Sequence, residues 1–179
     1  MHVPLDEDDR RRGESDGDRF FQGLTENVFY GLMGIADPPL VEYISSLLVR
    51  FIRNDIFYEL PGAPGVAVAD LTDMLTDAQK RSGAQARKEY RHIGDYTLFW
   101  TGVYPEALRK FQGPVRKDYL LDYRQSGKRA YLIASSIRSD ALDRESELLQ
   151  RLSHEYESCV EGLGQVRRAW EGSSGHGVP

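Results

Sequence analysis

The sequence predicts an all-α fold, a single-domain helical bundle of about five to seven helices with a long C-terminal helix. Three observations lead there. Leu40, Val41, Ile44, Leu47, Leu48, Phe51 and Ile52 recur at the spacing of one helical face. Leu142, Leu149, Tyr156, Leu163 and Trp170 fall at a heptad interval, with Leu152, Cys159 and Val166 in the second seam position. No two stretches alternate apolar and polar residues in the way a pair of strands requires.

Residues 1–18, MHVPLDEDDRRRGESDGD, are rich in charge and poor in apolar groups. Burial cannot offset the chain entropy of such a segment, so it is expected to be a disordered tail. The helical domain is expected over 19–171, with 172–179 a second flexible tail. A first helix is predicted from about Phe20 to Gly34, its stripe made of Phe21, Leu24, Val28, Leu32 and Ile35. Asp37-Pro38-Pro39 stops it, and Asp37 is placed to cap the next helix with proline just inside. That second helix puts Glu42, Ser45, Ser46, Arg50 and Arg53 on the face opposite its apolar stripe.

Ile56–Gly65 reads as an irregular connection, because proline and glycine interrupt it. Asp70 is a candidate cap for a helix carrying Leu71, Met74, Leu75 and Ala78, and Arg81–Gln85 reads as a turn around Gly83. A helix is expected over Gln85–Trp100, and Pro105 opens a short one over Glu106–Phe111. Another runs from Val115 to Ile137, with Tyr119, Tyr123 and Tyr131 alternating with Gly127, Ala130 and Ala134 along one side. Small residues there let a neighbouring helix approach, and Gly94 and Gly102, about two turns apart, are the expected mates. Ser139 or Asp140 would cap the last helix, ~45 Å long at ~1.5 Å per residue. Glu145 breaks its seam, and Gly162 and Gly164 weaken its far end.

The chain has 179 residues and a net charge of −5. The tail carries seven acids and four bases up to Arg19, so the body is nearly balanced. It offers no footprint for a polyanion, and nucleic acid is not an expected partner. No apolar run approaches the ~20 residues that span a bilayer. Cys159 is the only cysteine, which excludes an intrachain disulfide. With a charged rather than apolar beginning, this points to a cytoplasmic protein outside the membrane.

The chemistry-bearing stretch is YRHIGDYTLFWTGVYPEAL, Tyr90–Leu108. Glu89 and His92 form a Glu-x-x-His pair on one helical face, the spacing that di-metal bundles use twice over together with two more carboxylates. No second such pair exists in the chain. His92 and Asp95, one turn apart, are the candidate acid–base pair, since a carboxylate can orient a histidine. No activated serine, cysteine or lysine accompanies them. Tyr90, Asp95, Tyr96, Trp100, Tyr119 and Tyr123 are the candidate ligand pocket, aromatic surfaces with a few polar groups. The packing alternative gives the same residues to the core, with Asp95 bonded to a backbone amide, a tyrosine hydroxyl or an arginine. No cofactor is expected. His154, beside Glu155 and Glu157, reads as a solvated residue, and Cys159 as a buried, inert thiol.

Three segments taken together carry a resemblance. They are Tyr43 with Leu47 and Leu48; Gly94, Asp95, Leu98, Phe99 and Gly102; and Tyr123, Gly127, Ala130 and Tyr131. This set resembles an uncharacterised family of bacterial all-helical proteins, over about residues 40–137. The resemblance implies a bacterial helical protein and carries no catalytic role, and His92 is not part of its pattern. The expected function is a non-enzymatic helical protein-interaction module, with a protein partner or a second copy of the chain. The alternative is a small-ligand-binding or enzymatic protein working around Asp95.

Overall fold

The computed structural model describes residues 16–52, 71–110, 119–137 and 143–174, all in helices and short connections, with no strand among them. The helices are α1 (Asp16–Glu26), α2 (Pro38–Phe51), α3 (Leu71–Gln79), α4 (Gly83–Val103), α5 (Pro105–Lys110), α6 (Tyr119–Ser136), α7 (Asp143–His154) and α8 (Tyr156–Ser174), with a π-helical segment at Asn27–Leu32. They pack into one all-α domain, with the long C-terminal helical region supplied by α7 and α8. No described helix is long and apolar enough to cross a membrane.

The first helix starts at Asp16, within the segment expected to be a tail. Asp16 and Asp18 in its first turn suit the positive end of a helix dipole. Its predicted stripe then fails at one point. The Met33 amide bonds the Val28 carbonyl at 2.9 Å, and the Ile35 amide bonds the Phe29 carbonyl at 2.8 Å. This wider winding adds a residue to the turn and rotates the residues after it. Phe29 therefore goes fully inside and Leu32 is left 67% exposed. Gly34 ends the segment at φ 67°, a conformation that favours glycine.

Helix α2 buries its predicted stripe in full. The Asp37 carboxylate caps it by accepting the Leu40 amide at 3.3 Å, with Pro38 and Pro39 in the first turn. Ser45, assigned to the polar face, is buried instead. The irregular connection over 56–65 and the caps expected at Asp70, Ser139 and Asp140 lie outside the described residues.

Helix α4 is the axis of the domain. Every residue from Ile93 to Val103 is buried, so it has no solvent face over that span. It packs against α2, α3, α6 and α8. The glycines set the approach distances. A methyl group on Gly94 would stand 2.5 Å from the Tyr131 ring of α6, and one on Gly127 would overlap Thr97 Oγ1 and the Tyr156 hydroxyl. Gly102 meets Leu163 of α8 rather than the small residues of α6. The two glycines of α4 thus admit two different neighbours.

The C-terminal region is interrupted at Glu155 between α7 and α8, yet hydrogen bonds run across the break from the Glu155 amide to Arg151 and from the Cys159 amide to Glu155. Its seam turns into the chain's own core, with Leu149, Leu152, Tyr156, Cys159, Leu163 and Val166 buried. Arg151 of α7 grips the Asp37 cap at 2.7 Å, tying α7 to the start of α2. Arg167 donates to the last carbonyl of α4, at Val103, at 2.7 Å and lies over the Tyr104 ring. It therefore closes the C-terminus of a neighbouring helix.

Candidate functional site

The site is centred on Asp95, in the buried half of α4. Tyr43 and Arg50 stand two turns apart on α2, which puts both side chains over the same face of α4. Tyr131 comes from α6, which Gly94 lets in close. Asp95 Oδ1 accepts the Tyr43 hydroxyl at 2.6 Å and the Tyr131 hydroxyl at 2.7 Å. Oδ2 accepts Arg50 Nη2 at 2.7 Å. The Asp95 side chain is only 3% exposed, while that of Arg50 is 46% exposed. The knot therefore runs from the core to the surface, with the acid inside and the base outside.

Burial pushes the Asp95 carboxyl above the usual aspartate range. The two tyrosine hydroxyls and the Arg50 and Arg91 charges pull the other way. Tyr43 and Tyr131 are both raised, by burial first and by the Asp95 charge second, so both remain protonated donors. A carboxylate with both oxygens engaged holds a charge and fixes three helices. Three donors fill most of its roughly four acceptor sites, which leaves little capacity to take a substrate proton.

His92 lies one turn before Asp95 and makes no hydrogen bond to it. It is exposed, and its ring stacks on Phe51 with centroids 6.4 Å apart and planes 15° from parallel. The partners of Asp95 are Tyr43, Arg50 and Tyr131, so the helical spacing does not make a His92–Asp95 pair. Glu89 is half-buried near His92, and among the described residues no group of three or more His, Cys, Asp or Glu gathers there.

Nor do the aromatic pocket candidates converge on a cavity. Tyr96 and Trp100 are buried in a continuous chain of rings with Phe51, Phe99 and Tyr104. Tyr123 is fully buried, and Tyr90 is half-buried against the edge of the core. The Tyr119 side chain lies outside the described residues. A concavity of about 420 Å³ does open beside Asp95. Its other walls come from Arg50, Phe51, Lys88, Glu89, Arg91 and His92. Of the pocket candidates whose side chains are described, only Asp95 lines it.

A second polar knot sits nearer the start of α4. Arg87 is buried and donates to the Ile137 carbonyl at 2.8 Å, Ser146 Oγ at 3.1 Å and Glu145 at 3.2 Å. Arg91 takes the other Glu145 oxygen at 2.8 Å. The charged break in the heptad seam is thus the counter-ion of two arginines on α4. Farther along, the Tyr156 hydroxyl meets Thr97 Oγ1 at 3.0 Å, deep between α4, α6 and α8. Cys159 is fully buried and desolvation holds its thiol up at about 12, an inert group. His154, the last residue of α7, is exposed.

Sequence reasoning found Asp95 and missed which residues would close it. Tyr43 and Tyr131 stood in the pattern of the family resemblance without a role, and Arg50 was assigned to a solvated face. The signal that could have found two of them was the Tyr43–Arg50 spacing of two full turns beside an otherwise apolar stripe. Comparison with known proteins adds no role, since no family model, curated protein or solved structure matches the chain.

Proposed function

We propose that this chain is a non-enzymatic helical protein-interaction module, bacterial in origin as the family resemblance implies, whose first partner is a second copy of itself. The observation that carries this reading is where its exposed apolar groups lie. Of the large hydrophobic side chains exposed among the described residues, Phe20, Tyr30 and Leu32 belong to α1 and the π-helical segment, and Leu132 alone lies elsewhere. The π turn is what rotates Leu32 outward. Tyr30 also lines an open groove of about 670 Å³ between α1 and α2. Exposed hydrophobics concentrated on one segment in this way are what the association surface is proposed from. The heptad seam is occupied within the chain, so self-association is assigned to the α1 face instead.

The Asp95 knot supports the non-enzymatic half of the proposal, because its carboxylate is closed by three donors and His92 stands apart. A cytoplasmic setting accords with a single, buried, unreactive thiol. The nearly balanced charge of the body gives no reason to invoke nucleic acid. Sedimentation equilibrium over a wide concentration range tests the reading. A reversible dimer that Leu32→Asp abolishes is the expected result, and a strict monomer at the highest attainable concentration would refute self-association.

A further inference from the structure

We propose that the concavity between α2 and α4 is a binding site for a small oxyanion, a carboxylate or phosphate group, held by Arg50, Arg91 and Lys88. Such a site works whether or not the chain associates. The cavity volume of about 420 Å³ lies within the ~300–1,000 Å³ range usual for small-molecule sites.

Its walls are set up for negative charge in three ways. Arg50 and Arg91 enter from different helices, and each is anchored from behind by a carboxylate. Arg50 Nη2 is held by Asp95 at 2.7 Å and Arg91 Nη1 by Glu145 at 2.8 Å. A guanidinium carries five N–H groups in a fixed fork, so one anchored nitrogen leaves others to face the cavity. Both side chains keep access to solvent, 46% and 36% exposed. Their geometry is fixed before any ligand arrives, which lowers the ordering cost of binding.

Lys88 adds a third cation, exposed on the rim with no ion pair among the described residues. The lining acids offset this only in part. The lining acids are Glu89 and Asp95, against the three lining cations Arg50, Lys88 and Arg91, and the Asp95 charge is turned inward to Arg50 and the two tyrosine hydroxyls. Phe51, with the His92 ring stacked on it, gives the site a flat aromatic wall against which an apolar body attached to the oxyanion can lie.

Titration calorimetry on the full chain, with inorganic phosphate in one arm and succinate in the other, tests the site, alongside NMR observation of the arginine side-chain N–H signals. Saturable binding in either arm is expected, with shifts at Arg50 and Arg91. Phosphate alone would point to a phosphoryl ligand, succinate alone to a carboxylate, and both to a general oxyanion site; each supports the proposal. Lys88→Gln, a change on the exposed rim that leaves the fold intact, should weaken binding by roughly tenfold, the loss of one charge-assisted contact. Lys128→Gln, at the exposed Glu157 ion pair on another face, should leave it unchanged. No binding in either arm, or binding that Lys88→Gln leaves intact, would overturn the proposal.

Discussion

Helix α4 carries two ion-pair knots built with opposite polarity. In one, the acid is inside and the base reaches water: Asp95 is 3% exposed and Arg50 46%. In the other the base is inside, with Arg87 6% exposed and Glu145 34%. The difference lies in what each inner residue strands when removed. Asp95 is the acceptor for two hydroxyls, one on the fully buried Tyr131 and one on the partly buried Tyr43. Glu145, the partner of Arg87, touches solvent and keeps Arg91. Of the other two acceptors of Arg87, Ile137 and Ser146, neither is fully buried. An inner acid surrounded by buried donors is therefore harder to replace than an inner base surrounded by half-exposed acceptors.

The largest expected effect belongs to the inner acid. Asp95→Ala should cost about 3–5 kcal/mol, because two hydroxyls and a cation lose their acceptor inside the domain. Arg87→Met, which keeps most of the buried stem and strands only half-exposed acceptors, should cost about 1–2 kcal/mol. Chemical denaturation of the two variants measures both. Equal losses would break the comparison.

Alkaline pH sharpens it. Tyr43, Tyr131 and Tyr156 are all raised above the ordinary tyrosine value by burial, and the first two also by Asp95. A raised pKa means the native state keeps a proton that the unfolded chain gives up above about pH 10. Stability is fully present below that pH and falls as pH rises past it, by ~1.4 kcal/mol per pH unit for each tyrosine that ionises only on unfolding. The Asp95 carboxyl is raised as well, so its own contribution is greatest in acid and declines as pH rises through the window above about 3.9, the unfolded value. Denaturation midpoints of wild type and Tyr131→Phe between neutral and strongly alkaline pH should show a shallower alkaline limb in the variant. Parallel limbs would mean that Tyr131 is not held as a buried donor.

The smallest effect belongs to the outer base. Arg50→Gln removes a half-exposed cation and leaves Asp95 its two hydroxyls, so a loss of about 1 kcal/mol is expected in the same assay. A loss as large as that of Asp95→Ala would place the weight of the knot on the ion pair instead of the hydroxyls.

These two knots also mark how far the sequence could be read. Periodicity placed the α2 stripe residue by residue, because a stripe needs only local spacing. It placed the seam of the last two helices for the same reason, and it located Glu145 as the break. It could not say that Arg87 and Arg91 fill that break, since the partner lies more than fifty residues away and no local pattern encodes it. Leu32 failed differently. The π turn is a winding change that the alternation of residue types does not reveal, and it moved Phe29 in and Leu32 out. At the site, Asp95 was found as a buried carboxylate with a tyrosine or arginine among its expected partners. The candidate pairing with His92 rested on a one-turn spacing, which brings two residues near each other without bonding them, and the partners Asp95 takes come from α2 and α6 instead.

The central claim is that Asp95 is closed by tyrosine hydroxyls and acts as a structural hub. A double-mutant cycle between Asp95→Asn and Tyr131→Phe tests it most directly. A coupling of about 1 kcal/mol or more is expected, as befits two groups in one buried hydrogen-bond network. Losses that add to within about 0.5 kcal/mol would contradict the account and leave Asp95 free to act on a substrate.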